Sequence, residues 1–127
     1  KINIHKLINY QDFSFISKDY QDSLTYYDKI YSNDVCVMTF TNEVAIPYLL
    51  KKPTCSKYYL LYLATPLKIQ KSIAKDLSDK SPVFILYRSD IDVYGHVGKR
   101  LKLLDEFIRT EYDFFEKFKH WEIYKKK

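Results

Sequence analysis

Polar side chains follow two of the predicted strands, at the points where those strands end. Ligands of open α/β sheets bind beyond the carboxyl ends of the strands. The five candidates for such a site are Thr41, Asn42, Arg88, Asp90 and Asp92. We predict that they contribute to a ligand site at this edge of the sheet.

Two of these candidates, Asp90 and Asp92, form a possible metal motif. Asp90 and Asp92 form a D-x-D pattern, and two carboxylates that flank one spacer can share a hard cation. His96 extends the pattern to D-x-D-x-x-x-H. Because D-x-D is common by chance in chains of this length, the residues favour a solvated loop over a metal site. We predict no metal centre.

Nucleotide-binding motifs are missing from the sequence. A dinucleotide fold needs G-x-G-x-x-G after its first strand, so that the backbone can approach the pyrophosphate. The corresponding turn, residues 41–45, reads TNEVA, and the only glycines are Gly95 and Gly98. No P-loop signature occurs either, and we expect no cofactor.

Neither cysteine belongs to a recognisable catalytic constellation. Cys36 lies in a predicted buried strand, where a thiol usually behaves as a small hydrophobe. Cys55 lies in a predicted turn, where the neighbouring Lys52 and Lys57 would lower its thiol pKa. No histidine or acid stands at a catalytic spacing from either cysteine, so we predict no catalytic residue.

The two cysteines come near the same end of the sheet if the first two predicted strands are parallel neighbours. We nevertheless expect free thiols at Cys36 and Cys55. Residues of a strand covered on both faces point into the helix layers, whereas a disulfide needs converging Cβ vectors. An extracytoplasmic location would favour oxidation instead.

Composition indicates one globular domain. The 127 residues are 46% hydrophobic and 29% charged. The longest uncharged stretch, Tyr58–Leu67, is about half of the roughly 20 residues that a membrane-spanning helix needs.

The net charge of +5 comes partly from the tail Lys125–Lys127, which is typical of a solvated terminus. The aromatic motifs of RNA-binding domains are missing, and we predict no nucleic-acid partner.

Hydrophobic periodicity predicts alternating helices and strands. The predicted helices are Asp19–Ser32, Glu43–Lys51, Pro66–Ser78 and Lys99–Thr110. The predicted strands are Val35–Phe40, Lys57–Leu63, Pro82–Tyr87, Tyr112–Phe118 and Trp121–Lys125. This alternation predicts right-handed crossovers between parallel strands. The predicted fold is a single α/β domain over residues 1–127. It is three-layered and Rossmann-like, with a mainly parallel sheet and a C-terminal antiparallel hairpin.

Several segments between residues 19 and 127 carry a resemblance. They are A-I-P-Y-L-L at 45–50, T-P-L at 65–67, S-P-V-F-I-L-Y at 81–87, the helical segment 100–112 and W-E-I-Y-K at 121–125. Together they resemble the soluble C-terminal domain that follows the last membrane helix of polytopic bacterial glycosyltransferases. These enzymes are relatives of the dolichyl-phosphate-mannose protein mannosyltransferases. The turn Lys119-His120 departs from the pattern, because a glycine or asparagine is expected there.

The resemblance implies a role rather than catalytic residues. In such enzymes the catalytic acids lie in a loop near the N-terminal helices, and no position of this chain corresponds to them. The domain would lie on the extracytoplasmic side of the cell membrane, against the membrane-embedded remainder of the same polypeptide. Residues 1–18 would be a juxtamembrane lead-in, and a chain that begins with Lys1 is expected to be part of a longer protein.

Two functional hypotheses remain open at this stage. In the first, the chain is a non-catalytic extracytoplasmic domain of a multi-pass, lipid-linked-sugar glycosyltransferase. It would then have an accessory role with a glycan or a lipid-linked acceptor. In the second, it is a free-standing small α/β domain that binds a ligand or a protein without catalysis. Apolar segments upstream in the full gene would distinguish the two.

Overall fold

The computed structural model describes residues 17–40, 45–58, 61–87, 91–92, 95–119 and 121–127. The helices are α1 (Lys18–Ile30), α2 (Ala45–Leu50), α3 (Leu67–Lys80), α4 (Val97–Arg100) and α5 (Lys102–Glu111), with a short 3₁₀ helix at Leu61–Leu63. The strands are β1 (Thr39–Phe40), β2 (Phe84–Tyr87), β3 (Ile91–Asp92), β4 (Gly95–His96), β5 (Tyr112–Phe118) and β6 (Trp121–Lys126). The fold is mixed α/β, as predicted.

The main sheet has the order β1-β2-β6-β5, and β3 pairs with β4 in a separate two-stranded sheet. Strand β1 runs parallel to β2, whereas β6 is antiparallel to both β2 and β5. The C-terminal antiparallel hairpin is therefore confirmed. The prediction of a mainly parallel sheet is wrong, because only one of the three pairings in the described sheet is parallel. The predicted three-layer, Rossmann-like arrangement is not confirmed.

The predicted strand over residues 57–63 explains most of this difference. Leu61–Leu63 forms a 3₁₀ turn, in which the Ala64 N–H donates to the Leu61 carbonyl at 3.0 Å. The chain approaches β1 earlier, through one parallel bridge between Val37 and Thr54. An apolar run alone does not distinguish a strand from another buried segment, and this segment also lacks the polar alternation that would set a strand's two faces.

Two apolar cores lie on opposite faces of the main sheet. Alternate residues of β2 enter different cores, because successive strand side chains point to opposite faces. One core contains Ile85 and Tyr87 together with buried residues of α3 and α5. The other contains Leu86 together with buried residues of α1 and α2. Leu104 of α5 is fully buried, whereas Ile69 of α3 is only partly buried against the first core.

Local polar contacts fix the ends of several elements. The Ser17 hydroxyl caps α1 by accepting the Tyr20 N–H at 3.3 Å. The buried Asp34 carboxylate accepts the backbone N–H groups of Val83 at 2.8 Å and Phe84 at 3.3 Å, at the start of β2. These hydrogen bonds satisfy donors that the first residues of an element otherwise leave unpaired.

The C-terminal hairpin turns through a strained residue. Lys119 has a φ of 53°, a left-handed conformation that glycine and asparagine adopt more easily. Its ammonium group lies 2.5 Å from Asp19 Oδ1 at the start of α1. Lys119, directly after β5, therefore adopts a conformation that a glycine or asparagine would adopt more easily.

Cys36 and Cys55 form a disulfide, so the expectation of free thiols is wrong. Their Cα atoms are 5.0 Å apart, and both residues are buried. The expectation assumed that Cys36 lies inside a long strand covered on both faces. In the structure β1 begins only at Thr39, and the bridge between Val37 and Thr54 places the two cysteines side by side.

The disulfide generates the first prediction. Maleimide should label neither cysteine of the unfolded, unreduced chain. Reduction should lower the free energy of unfolding by about 3 kcal/mol, because the bond closes a short loop in the unfolded chain. Urea denaturation with and without reductant measures this loss. The double variant Cys36→Ser/Cys55→Ser is the control and should not respond to reductant, and two labels per unreduced chain would contradict the bond.

Candidate functional site

A cleft of about 510 Å³ lies at the carboxyl end of β2. This volume is in the range of small-molecule sites. Its lining includes the last residue of β2 and the polar face of α5. The described residues that line it are Tyr87, His96, Gly98, Lys99, Lys102, Asp105, Glu106 and Arg109. The cleft therefore lies at the sheet edge where the sequence predicts a ligand site.

The structure describes only one of the five residues predicted for that site, Asp92. Thr41, Asn42, Arg88 and Asp90 lie outside the described residues. The backbone of Asp92 belongs to β3 and pairs with Gly95. Their proposed ligand contacts therefore stay predictions. His96, which the sequence placed in an extended metal pattern, lines the cleft and is partly buried.

Helix α5 contributes four of the described residues that line the cleft. Lys102, Asp105, Glu106 and Arg109 are spaced at i, i+3, i+4 and i+7, which places them on one helical face. The opposite face carries the buried Leu104 and Ile108. The amphipathic pattern that packs α5 on the sheet therefore also aims these four polar side chains at the cleft.

The Asp105 carboxylate joins α5 to the sheet. Its Oδ1 accepts the Tyr87 hydroxyl at 2.7 Å, and its Oδ2 accepts Arg109 Nε at 3.0 Å. Burial, and then the hydrogen bond to Asp105, raise the pKa of Tyr87 well above its usual value. The hydroxyl therefore remains a donor at neutral pH. The hydrogen bond to Asp105 likewise raises the pKa of Arg109, which remains charged.

Tyr87 is held rigidly within an aromatic row that crosses the sheet. Its ring stacks on Phe40 of β1, with centroids 5.0 Å apart, and meets Tyr124 of β6 edge-to-face at 5.5 Å. The Arg109 guanidinium lies 5.9 Å from the centroid of the Tyr87 ring. These contacts place the Arg109 guanidinium beside the buried aromatic rings, while the Arg109 side chain remains 57% exposed.

Gly98 allows α4 to approach Tyr87 closely. A Cβ atom at this position would lie 2.5 Å from the Tyr87 hydroxyl oxygen and 3.0 Å from Asp105 Oδ1. Both atoms belong to the hydrogen bond that joins the sheet to α5. The glycine is therefore required by space rather than by backbone conformation.

In the part of the chain that the structure describes, no three histidine, cysteine or carboxylate side chains are grouped so that they could hold a metal ion. Among the same residues, no helix is both long enough and apolar enough to cross a bilayer.

Sequence reasoning missed most of the cleft. The sequence predicts the helix Lys99–Thr110, but none of the predicted site residues lies on it, whereas Lys102, Asp105, Glu106 and Arg109 line the cleft. The signal was present in the spacing of four charged residues on one helical face directly after the glycine-containing loop. The spacing alone does not predict that this face of the helix lies next to the carboxyl end of β2.

Comparisons with known proteins add little to this description. No protein family matches the sequence, and no curated protein matches it significantly. The C-terminal globular domain of an oligosaccharyltransferase from Archaeoglobus fulgidus aligns with 88% of this chain and 99% of its own length, at 10% identity and a TM-score of 0.48. A TM-score below 0.5 does not establish a common fold, and no residue role is carried over.

The close approach at Gly98 gives the second prediction. Gly98→Ala should lower the free energy of unfolding by about 1–3 kcal/mol, because the added methyl group collides with a stacked, buried tyrosine. In a Tyr87→Phe background the cost should be smaller, since the nearest oxygen is gone. Urea denaturation of the four proteins measures both effects.

Ser78→Ala, at an exposed position of α3, is the matched control and should change stability by less than about 0.5 kcal/mol. An equal cost of Gly98→Ala in both backgrounds would show that the Tyr87 hydroxyl does not limit this position.

Proposed function

We propose that this chain is a non-catalytic, extracytoplasmic domain of a multi-pass glycosyltransferase that uses lipid-linked sugars. In this role it contacts the membrane-embedded remainder of its polypeptide and binds part of a glycan acceptor in the cleft at the end of β2. The sequence resemblance supplies the enzyme class. The disulfide and the cleft support the location and the role respectively.

The buried bond between Cys36 and Cys55 carries the proposal. Disulfides persist in extracytoplasmic compartments and are rare in the reducing cytosol. This one joins two segments with little regular structure, just before β1 and just before the 3₁₀ helix. A bond in that position stabilises the fold only where oxidation is maintained, which favours the outer side of the membrane.

The cleft supports the accessory role. Its lining mixes hydrogen-bond donors, such as Lys99 and Arg109, with an exposed carboxylate acceptor, Glu106. Sugar hydroxyls both donate and accept, so such a mixture suits a saccharide better than an apolar ligand. A domain that holds the acceptor while the membrane region transfers the sugar needs binding groups but no catalytic ones.

A labelling experiment tests the location. Lys71→Cys introduces a thiol on the exposed face of α3, far along the chain from both native cysteines. In cells with an intact cytoplasmic membrane and an opened outer layer, a membrane-impermeant maleimide should label the full-length protein as completely as it does after lysis. The protein without this substitution gives the background, and labelling that appears only after lysis would refute the extracytoplasmic location.

An activity assay tests the absence of catalysis. The 127-residue chain, incubated with a polyprenyl-phosphate sugar and acceptor-containing membranes, should transfer no sugar. Membranes that contain the full-length protein are the positive control. Measurable turnover by the 127-residue chain would overturn the accessory role. Ligand binding by a full-length protein without membrane segments would favour the free-standing binding domain.

A further inference from the structure

We infer that the ligand of the cleft is an acidic saccharide, meaning a sugar that carries a phosphate or a carboxylate group. This inference rests on the proposed function, in which the cleft binds part of a glycan acceptor. It adds the charge of that ligand. The argument depends on how the charged groups of the cleft are already paired.

Arg109 is the anchor for the anionic group. Its Nε donates to Asp105, and this hydrogen bond holds the guanidinium in place beside the Tyr87 ring. Asp105 engages the guanidinium through Nε, and the side chain is 57% exposed at the cleft. A guanidinium held in this way presents a rigid, planar set of donors that matches a carboxylate or a phosphate.

The carboxylate of Asp105 offsets part of the positive charge of Arg109, but its oxygens are occupied by hydrogen bonds within the protein. Both of its oxygens accept hydrogen bonds within the protein, one from Tyr87 and one from Arg109, and its side chain is only 18% exposed. Its role is to position Arg109 rather than to meet the ligand.

Two lysines add positive charge at the rim of the cleft. Lys99 and Lys102 are exposed, and within the described residues neither forms an ion pair with a carboxylate. Exposed ammonium groups bind weakly on their own, but together they raise the local concentration of anions. Among the described residues that line the cleft, Lys99, Lys102 and Arg109 carry three positive charges against the two negative charges of Asp105 and Glu106, a net charge of +1.

Glu106 explains why the ligand is a saccharide rather than a bare anion. It lies on the same face of α5 as Lys102 and Arg109, and it is exposed to the cleft. A carboxylate repels phosphate but accepts hydrogen bonds from hydroxyl groups. A sugar with one acidic group satisfies both features, because its charge meets Arg109 and its hydroxyls meet Glu106.

Calorimetric titration of the purified chain tests the inference with four probes: glucose 6-phosphate, glucuronate, glucose and inorganic phosphate. Both acidic sugars should bind at least about tenfold more tightly than glucose, and more tightly than phosphate. Arg109→Gln should weaken their binding by about 10- to 100-fold, as the loss of a charge-assisted hydrogen bond predicts. Arg109→Lys, which keeps the charge but loses the planar donors, should give an intermediate loss.

Lys71→Gln is the matched control, since it removes one exposed positive charge from α3 outside the cleft, and it should change affinity by less than about twofold. Circular dichroism checks that each variant is folded. If Arg109→Gln fails to fold, the exposed Lys102→Gln replaces it with the same expected direction and a smaller loss.

Glucose binding as tight as glucose 6-phosphate, inorganic phosphate binding as tight as either acidic sugar, or equal losses in Arg109→Gln and Lys71→Gln would each overturn the inference. So would a lack of binding by all four probes. These results are independent of the labelling and transfer assays, which test the proposed function separately. A neutral-sugar site would leave that proposal standing.

Discussion

The pairing of β6 between β2 and β5 is the constraint on which the rest of the structure depends. β6 is the last strand of the chain, yet it occupies an interior position of the main sheet. Ile123 enters one core and Tyr124 the other, so both apolar layers need this strand in register. The fold is therefore completed only when the C-terminus docks, through contacts between residues far apart in sequence.

The cleft depends on this arrangement through Tyr87 and Asp105. Strand β2 can hold Tyr87 in place only because β1 and β6 pack on both sides of it, with Phe40 and Tyr124 against its ring. The Tyr87 hydroxyl then holds Asp105, which in turn holds Arg109. The orientation of the exposed guanidinium is thus a consequence of strand order in the sheet.

The disulfide between Cys36 and Cys55 stabilises a part of the described chain with little regular structure. A single parallel bridge connects the segments that contain the two cysteines. Irregular segments of this kind lose conformational entropy on folding without the repeating backbone hydrogen bonds of a helix or strand to offset that loss. The covalent bond reduces the entropy of the unfolded chain instead.

Local sequence patterns correctly predicted the helices and strands that are determined by residues close together in the chain. The predicted helices Asp19–Ser32 and Pro66–Ser78, the predicted strand Pro82–Tyr87 and the C-terminal hairpin all appear in the structure within a few residues of their predicted bounds. Each depends on periodicity or on capping between neighbours in sequence.

Strand order, the bond between Cys36 and Cys55, and the cleft were decided only by tertiary structure. An apolar run such as residues 57–63 is compatible with a strand or with a buried turn, and only its neighbours select between them. The antiparallel insertion of β6 depends on which edge of β2 is free, and no local pattern reports that. The amino-acid sequence determined the charged face of α5, but packing against β2 determined that this face, with Arg109 held by Asp105, lines a cleft.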